Sequence, residues 1–218
     1  MRTAIVIGAT GLVGGELVKQ LLQAPAFTHV KVLVRKDFAL QHPRLEVIPV
    51  DFDNERRLAE AVKGDDLFIA IGTTRAKTPD MAQYRAIDYG IPVHVATVGM
   101  ANGLKRIYFV SALGANPASG NFYLNLKGET EAALHNLNPD QLVIVRPSLL
   151  LGNRKEHRTG EKIAKVLMTG LGWLMVGPLK KYKAVQGAAV AAAMIYEALN
   201  PTPGVTVLEN DELISLQP

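Results

Sequence analysis

The sequence predicts an α/β protein whose centre is a doubly wound parallel sheet. Three observations lead there. Short apolar runs alternate with helix-like stretches up to residue 146. A glycine-rich turn joins the first apolar run directly to the first helical stretch. The chain has 218 residues, 48% of them hydrophobic, enough to fill one sizeable core.

Residues 3–7 (Thr-Ala-Ile-Val-Ile) read as a buried strand, and residues 12–23 as a helix with Leu12, Leu17, Leu21 and Leu22 on one broad apolar face. Strands follow at 30–34 and 45–50, where Pro49 puts the latter at an edge or near its end. A helix over about 54–63 stops at Gly64, and 66–71 is the fourth strand. A longer helix spans roughly 80–102, bent at Pro92, before a fifth strand at 106–111. A helix at 122–137 and a strand at 141–146 complete the alternation. After Pro147 the rhythm breaks: 148–183 is rich in Gly, Leu, Met and basic residues, 184–199 is an alanine-rich helix, and 204–208 reads as a last strand. No internal repeat or linker divides the chain, so residues 1–218 are expected to form one domain.

Composition removes several function classes. There is no Cys, which excludes a disulfide scaffold, a cysteine nucleophile and any thiolate metal site. His29, His42, His94, His135 and His157 show no metal-ligand spacing, so no metal is expected. The formal net charge is +4, and the tightest basic groups are Lys180, Lys181 and Lys183, and Arg154 and Lys155 with Arg158. Neither a basic stripe nor a nucleic-acid-binding module is present, and a cationic site for a phosphorylated ligand explains the same charges. The first apolar run is too short for a signal-peptide core, and no stretch reaches the roughly 20 apolar residues of a membrane span. Cytoplasmic residence is the resulting expectation.

The turn Gly8-Ala9-Thr10-Gly11-Leu12-Val13-Gly14 carries the first chemistry. Glycines here permit a tight turn and a close approach of backbone N–H groups to a pyrophosphate, while the helix amino end adds positive potential. The context is that of a Rossmann-type dinucleotide site, although the spacing is G-x-x-G-x-x-G; a purely structural turn is the alternative. Arg35 and Lys36 follow the second strand, where a cation suits the 2′-phosphate of NADP better than the free ribose of NAD; Asp37 lies beside them, and a solvated loop is the alternative. Asp51 is a candidate acceptor for the adenine amino group, with Asp53 as rival and a helix-capping role as the alternative for either. Gly72, Thr73 and Thr74 are small enough to let the chain pass closely over a cofactor beyond the strand ends.

Ser111, Tyr123 and Lys127 form the catalytic candidate. Tyr123 and Lys127 stand i,i+4 on one helix, so an ammonium lies near the phenol and lowers the cost of ionising it. Ser111, ending the fifth strand, is placed to hold a substrate oxygen. A surface pair on the helix is the alternative.

Together these residues resemble the atypical branch of the short-chain dehydrogenase/reductase superfamily, over nearly the whole chain. Within it they are similar to the Tat-interacting, tumour-suppressor-type oxidoreductase-like subgroup and its bacterial relatives. The strings that carry the resemblance are Leu12-Val13-Gly14, Ile71-Gly72-Thr73-Thr74-Arg75, Ser111-Ala112-Leu113-Gly114-Ala115, Tyr123-Leu124-Asn125-Leu126-Lys127-Gly128-Glu129 and Arg146-Pro147-Ser148-Leu149-Leu150-Leu151-Gly152. The resemblance implies that Ser111, Tyr123 and Lys127 match the family triad, that Lys127 also binds the nicotinamide ribose, and that Pro147 and its neighbours contact the nicotinamide end. Many members add an Asn in the helix before the fifth strand. Here Asn102 is too close to that helix's end, and Asp88 is only a weak substitute.

The expectation is an NADPH-dependent oxidoreductase, NAD being a possible substitute cofactor, that reduces a carbonyl or related small molecule. The alternatives are a non-catalytic dinucleotide-binding regulator or redox sensor acting through protein partners, and an isomerase or epimerase with retained cofactor. A homo-oligomer is compatible with each. Substrate choice is expected to reside in a small C-terminal segment, 148–183, on the substrate side. Its apolar run over 163–179 suits a wall or lid, with an oligomer interface, a core helix or membrane-surface contact as alternatives.

Overall fold

The computed structural model describes residues 2–35, 38–151 and 182–215. The chain begins with β1 (Arg2–Ile7), α1 (Leu12–Gln23), β2 (Phe27–Val34), β3 (Leu45–Pro49), α2 (Glu55–Ala61) and β4 (Asp66–Ile69). It continues with α3 (Met81–Arg85), a π-helical turn (Ala86–Gly90), α4 (Ile91–Ala101), β5 (Arg106–Val110), α5 (Phe122–Asn136) and β6 (Gln141–Arg146). The short strands β7 (Leu150–Leu151) and β8 (Val185–Gln186) precede α6 (Gly187–Leu199), β9 (Gly204–Glu209) and α7 (Asn210–Ser215).

The main sheet has the order β3-β2-β1-β4-β5-β6-β9, and every pairing in it is parallel. Right-handed helical crossovers force such strands to be covered on both faces, which is why the inner strands read as unbroken apolar runs. Ala4, Val6, Val32, Phe68, Tyr108 and Val143 face α1 and α6. Their chain neighbours Ile5, Ile7, Leu33, Leu67, Ile107 and Leu142 face the side covered by α2, α4 and α5. The winding reverses between β1 and β4, and a crevice opens there beyond the carboxyl ends of the strands.

Pro49 is the last residue of the edge strand β3, satisfying both parts of its expectation. The helix expected over 80–102 is continuous but contains the π-turn, and Pro92 lies in the first turn of α4. Pro92 has no N–H to offer the Asp88 carbonyl four residues back; Thr130 Oγ1 on α5 lies 3.3 Å from that carbonyl, while its single hydrogen has the shorter contact with the Leu126 carbonyl at 2.8 Å. The alanine-rich helix begins at Gly187 rather than 184, because buried Val185 is drawn into a parallel pairing with Leu150. Most of the expected 148–183 segment, including the apolar run 163–179, lies outside the described residues. Its two ends are held together: Asn210 Oδ1 accepts from Ser148 N at 2.8 Å, while Asn210 Nδ2 and Ser148 Oγ both donate to the Lys183 carbonyl at 2.7 Å.

At the opposite, amino end of the strands, the Asp66 carboxylate is 0% exposed. It accepts from Arg2 Nε at 2.8 Å, Arg106 Nε at 2.7 Å and the Tyr108 hydroxyl at 3.2 Å. Asp66→Asn removes the charge that both guanidiniums neutralise and is expected to cost about 3–5 kcal/mol. Asp66 lies three residues, roughly 10 Å, from the crevice end of β4, so affinity for a dinucleotide in the crevice should be unchanged. Urea unfolding together with a dinucleotide titration checks both halves: an unaltered midpoint would show that the network is dispensable.

Candidate functional site

The glycine turn follows β1 without a break. Gly8 has φ +85°, and a Cβ on it would lie 2.4 Å from the Ala70 carbonyl carbon. A Cβ on Gly14 would lie 2.1 Å from the Gly8 carbonyl oxygen. Side chains at these two positions would therefore collide with backbone, and α1 would be pushed off the turn. Gly11 N donates to Gly8 O at 2.9 Å and closes the loop. Gly11 is also the residue before α1, no side chain caps that helix, and its first turn contains no acidic residue. Its leading N–H groups thus keep their hydrogens for an anion. Thr10 and Gly11 are exposed, Leu12 is partly buried, and Val13 and Gly14 are buried. A glycine cradle, an uncapped helix amino end and a neutral lining match what the pyrophosphate of a dinucleotide requires.

Arg35 directly follows β2 and is exposed, next to the crevice strand β1. Lys36 and Asp37 lie outside the described residues. Asp51 is exposed, and its Oδ1 accepts from Asp53 N at 3.1 Å in a local turn. Neither Asp51 nor Asp53 caps α2: Asn54 does, accepting from Arg57 N at 3.1 Å. Asn54, not weighed as a cap in the sequence, is the residue that immediately precedes the first helical residue.

Beyond β4 the chain passes Gly72, Thr73 and Thr74. Thr73 N donates to Asp88 Oδ2 at 2.7 Å, and its carbonyl accepts from the Tyr84 hydroxyl at 3.2 Å. Thr73 Oγ1 and Thr78 Oγ1 are 2.8 Å apart, and the Thr74 carbonyl accepts from Lys77 N and Thr78 N at 2.9 and 2.8 Å. Loop 72–78 is therefore tied to itself and to the π-turn.

Below this loop lies Lys127, 4% exposed. Its ammonium donates to the Val110 carbonyl at 3.2 Å, sits 4.9 Å from the Phe109 ring centroid and is 3.7 Å from Asp88 Oδ1. That oxygen is buried and makes no hydrogen bond among the described residues. Burial pushes the Asp88 carboxyl above the usual range, opposed by Lys127 and by the Thr73 N–H. Burial pushes the Lys127 ammonium below its usual value, opposed first by Asp88. The weak substitute Asp88 thus stands beside Lys127, brought there by the π-turn, whereas Asn102 donates to the Ala59 and Val62 carbonyls at 2.9 and 2.7 Å on another side of α4.

Tyr123, in the first turn of α5, is 39% exposed. Asn121 caps the helix, its side-chain oxygen accepting from Tyr123 N at 3.0 Å and Leu124 N at 3.2 Å. Tyr123 and Lys127 thus differ in depth along one helix: the phenol is at the mouth and the ammonium is beneath. Ser111 differs from the expected arrangement. It is buried, and its hydroxyl donates to Glu131 through a short hydrogen bond. Arg146 pairs with Glu131 through Nε at 3.0 Å and Nη2 at 2.6 Å, and with Glu209 at 3.0 Å. The Ser111 hydrogen is directed into this network, so its oxygen is available only as an acceptor. Glu131 was missed, yet it continues the stripe Tyr123, Lys127, Glu131 at successive i,i+4 spacings, a signal that could have found it. Pro147 is buried just beyond β6, and its carbonyl accepts from Leu113 N at 3.0 Å.

Among the described residues, a pocket of about 240 Å³ is lined by Arg75, Tyr84, Asn121, Phe122 and Tyr123. No group of three or more potential metal ligands occurs among the described residues.

Sheet order, glycine cradle and crevice define a Rossmann-type dinucleotide-binding protein. The chain belongs to the NAD(P)H-binding family, whose model matches residues 8–200. It is 35% identical to the mitochondrial protein FMP52 of Candida albicans, over 98% of this chain and 97% of that one. It is 30% identical to the protein HTATIP2 of Rattus norvegicus, over 99% of this chain and 89% of that one. Its fold is similar to that of the Bordetella bronchiseptica enzyme WbmH, solved in complex with NAD+, with TM-score 0.72 and 16% identity over 96% of this chain and 76% of that one.

The relatives overturn the expectation of cytoplasmic residence, because FMP52 of Candida albicans and that of Coccidioides immitis are both named mitochondrial. That expectation rested on the absence of an apolar leader or span. Mitochondrial targeting uses amphipathic, basic segments instead, so the absence does not separate the two compartments. Among the described residues no helix is long and apolar enough to cross a membrane.

The buried pair has a pH signature. The Lys127 pKa is lowered in the folded protein, so between that value and the ordinary 10.5 the unfolded chain binds a proton that the folded one has released. Stability contributed at this site therefore rises with pH across that window. Relative to Lys127→Met, the wild type should gain stability as pH approaches 10.5. In an Asp88→Asn background, which removes the charge supporting the ammonium, the gain should begin at lower pH. Urea titrations at stepped pH measure it; a pH-independent difference between the wild type and the Lys127→Met variant would mean that the ammonium is not desolvated.

Proposed function

We propose that this protein is an NADPH-dependent reductase of a small carbonyl compound. The observation that carries the reading is the vertical arrangement on α5: a half-exposed phenol, Tyr123, one helical turn from an ammonium buried against Asp88 and the end of β5. Residues 1–218 would act as one domain, with 148–183 on the substrate side. A small-molecule substrate is the expected partner, and a second copy or another protein is compatible with it.

In this reading Gly8, Thr10, Gly11, Leu12, Val13 and Gly14 hold the pyrophosphate, Asp51 accepts from the adenine, and Arg35 with Lys36 meets the 2′-phosphate. Gly72, Thr73 and Thr74 pass over the cofactor, and Pro147 lies at its nicotinamide end. The bound cofactor supplies the hydride that goes to the carbonyl carbon. Tyr123 gives its phenolic proton to the carbonyl oxygen, Lys127 stabilises the tyrosinate that remains, and solvent restores the proton. Asp88 holds Lys127 charged against the cost of burial. Ser111 contributes as an acceptor, because its own hydrogen is directed to Glu131.

Tyr123→Phe should lower the turnover number by about 10²–10⁴-fold while leaving NADPH affinity intact. Wild-type turnover in that variant would remove Tyr123 from the chemistry. Substrate-dependent oxidation of NADPH across a carbonyl panel is the direct assay, and its complete absence would sink the reductase reading.

Cofactor choice has its own test. A guanidinium donates two charged hydrogen bonds to a phosphate, whereas a ribose offers only neutral acceptors. NADPH should therefore bind at least about tenfold tighter than NADH, and Arg35→Ala should weaken NADPH much more than NADH, with added salt narrowing the gap. Calorimetric titration of both cofactors into both proteins decides it, equal losses being the result that counts against Arg35.

A further inference from the structure

Resting on the reductase reading, we propose that the pocket beside Tyr123 selects a carbonyl compound that also bears a carboxylate, with Arg75 as the carboxylate-binding residue and a flat apolar body lying against Tyr84 and Phe122. Three features carry this.

The first is the electrostatics of the lining. Arg75 is the one cation among the described residues lining the pocket, and no acidic residue is among them. Among the described residues Arg75 makes no hydrogen bond or ion pair. Arg85, which ends α3, is different: it pairs with Glu129 at 2.6 Å and lies 4.5 Å from the Tyr89 ring centroid. One guanidinium is thus consumed by the fold, while the other is left at the pocket with its fork available for a planar, two-oxygen anion. A cationic substrate has no acid to meet among these residues.

The second is rigidity. Tyr84 and Phe122 meet edge to face, with ring centroids 5.5 Å apart and planes at 82°. The Tyr84 hydroxyl is tied to the Thr73 carbonyl at 3.2 Å, and Thr73 N is tied to Asp88 at 2.7 Å. Asn121 directs its side-chain oxygen into the first turn of α5, which fixes its side chain against the helix end. The apolar walls are therefore fixed before any ligand arrives, and little ordering is needed on binding.

The third is size and placement. A volume of about 240 Å³ is below the roughly 300–1,000 Å³ that drug-sized ligands occupy, so the occupant is small. The same pocket is lined by Tyr123, the proposed acid. An oxygen that receives the Tyr123 proton and an anion held by Arg75 must then belong to one short molecule.

The test compares phenylpyruvate with phenylacetone, which share a skeleton and differ in carrying a carboxylate or a methyl group on the carbonyl carbon. Each is titrated calorimetrically into the NADPH-loaded protein, with the reduced nicotinamide absorbance followed in parallel. Phenylpyruvate should bind about tenfold tighter or more, added salt should narrow the difference, and Arg75→Gln should erase it without changing NADPH affinity. Equal affinities in the wild type, binding of neither compound, or a variant that loses NADPH instead of phenylpyruvate would each overturn the proposal; the last would assign Arg75 to the cofactor. Arg75-dependent binding of phenylpyruvate without NADPH consumption would leave the anion site standing and remove the reductase reading. Consumption with no dependence on Arg75 would do the reverse.

Discussion

The site depends on one close approach: the amino end of α1 pressed against the carbonyl of Gly8, with the end of β4 against the other side of the same residue. Neither contact tolerates a side chain. Because β1 lies between β2 and β4, fixing its carboxyl end fixes where the adjacent loops begin. Arg35 leaves from β2 on one side and Gly72-Thr73-Thr74 from β4 on the other. The π-turn then carries Asp88 beneath Thr73, and Asp88 faces Lys127. A chain of short backbone and side-chain contacts therefore runs from the glycine turn to α5, without loops long enough to blur the geometry.

Charge is handled differently at the two ends of the sheet. Asp66, at the amino end, is surrounded by donors and meets two guanidiniums. Asp88, at the crevice end, has one oxygen satisfied by Thr73 and the other facing Lys127 across 3.7 Å with no hydrogen bond among the described residues. The first arrangement suits a structural anchor. The second raises the Asp88 carboxyl and lowers the Lys127 ammonium through burial, each shift opposed by the partner's charge. The contrast distinguishes the ends more sharply than fold position alone.

Features with a local cause were legible in the sequence. The strands of the main sheet were readable from apolar runs, α1 from its leucine spacing, and the glycine turn from its place between them. The adjacency of Tyr123 and Lys127 needed only the helical repeat. Features created by distant parts of the chain were not legible. Asp88 looks like one acid in a helix until Pro92 and the π-turn rotate it toward a lysine from another element. Asp66 has partners 64 and 40 residues away, on strands that meet it only through sheet order. Ser111 was placed correctly at the end of β5, but the direction of its hydroxyl is decided by Glu131, whose orientation in turn depends on Arg146 from β6. The terminal helix α7 is too short and too polar to announce itself, though it supplies the buried Asn210.

Asn210 gives the fold a property beyond stability. One amide joins Ser148 to Lys183, and the pairing of β7 with β8 repeats the connection a few residues further on. The described residues on either side, 148–151 and 183–186, are thus held together by the scaffold itself. Doubling the length of a closed loop adds only about 0.6 kcal/mol of closure entropy. A change in chain length between Ser148 and Lys183 therefore costs the sheet, the glycine turn and α5 little in closure entropy. The frame that holds the glycine turn and α5 is thereby insulated from the length of chain inserted between Ser148 and Lys183, an economy of three short hydrogen bonds.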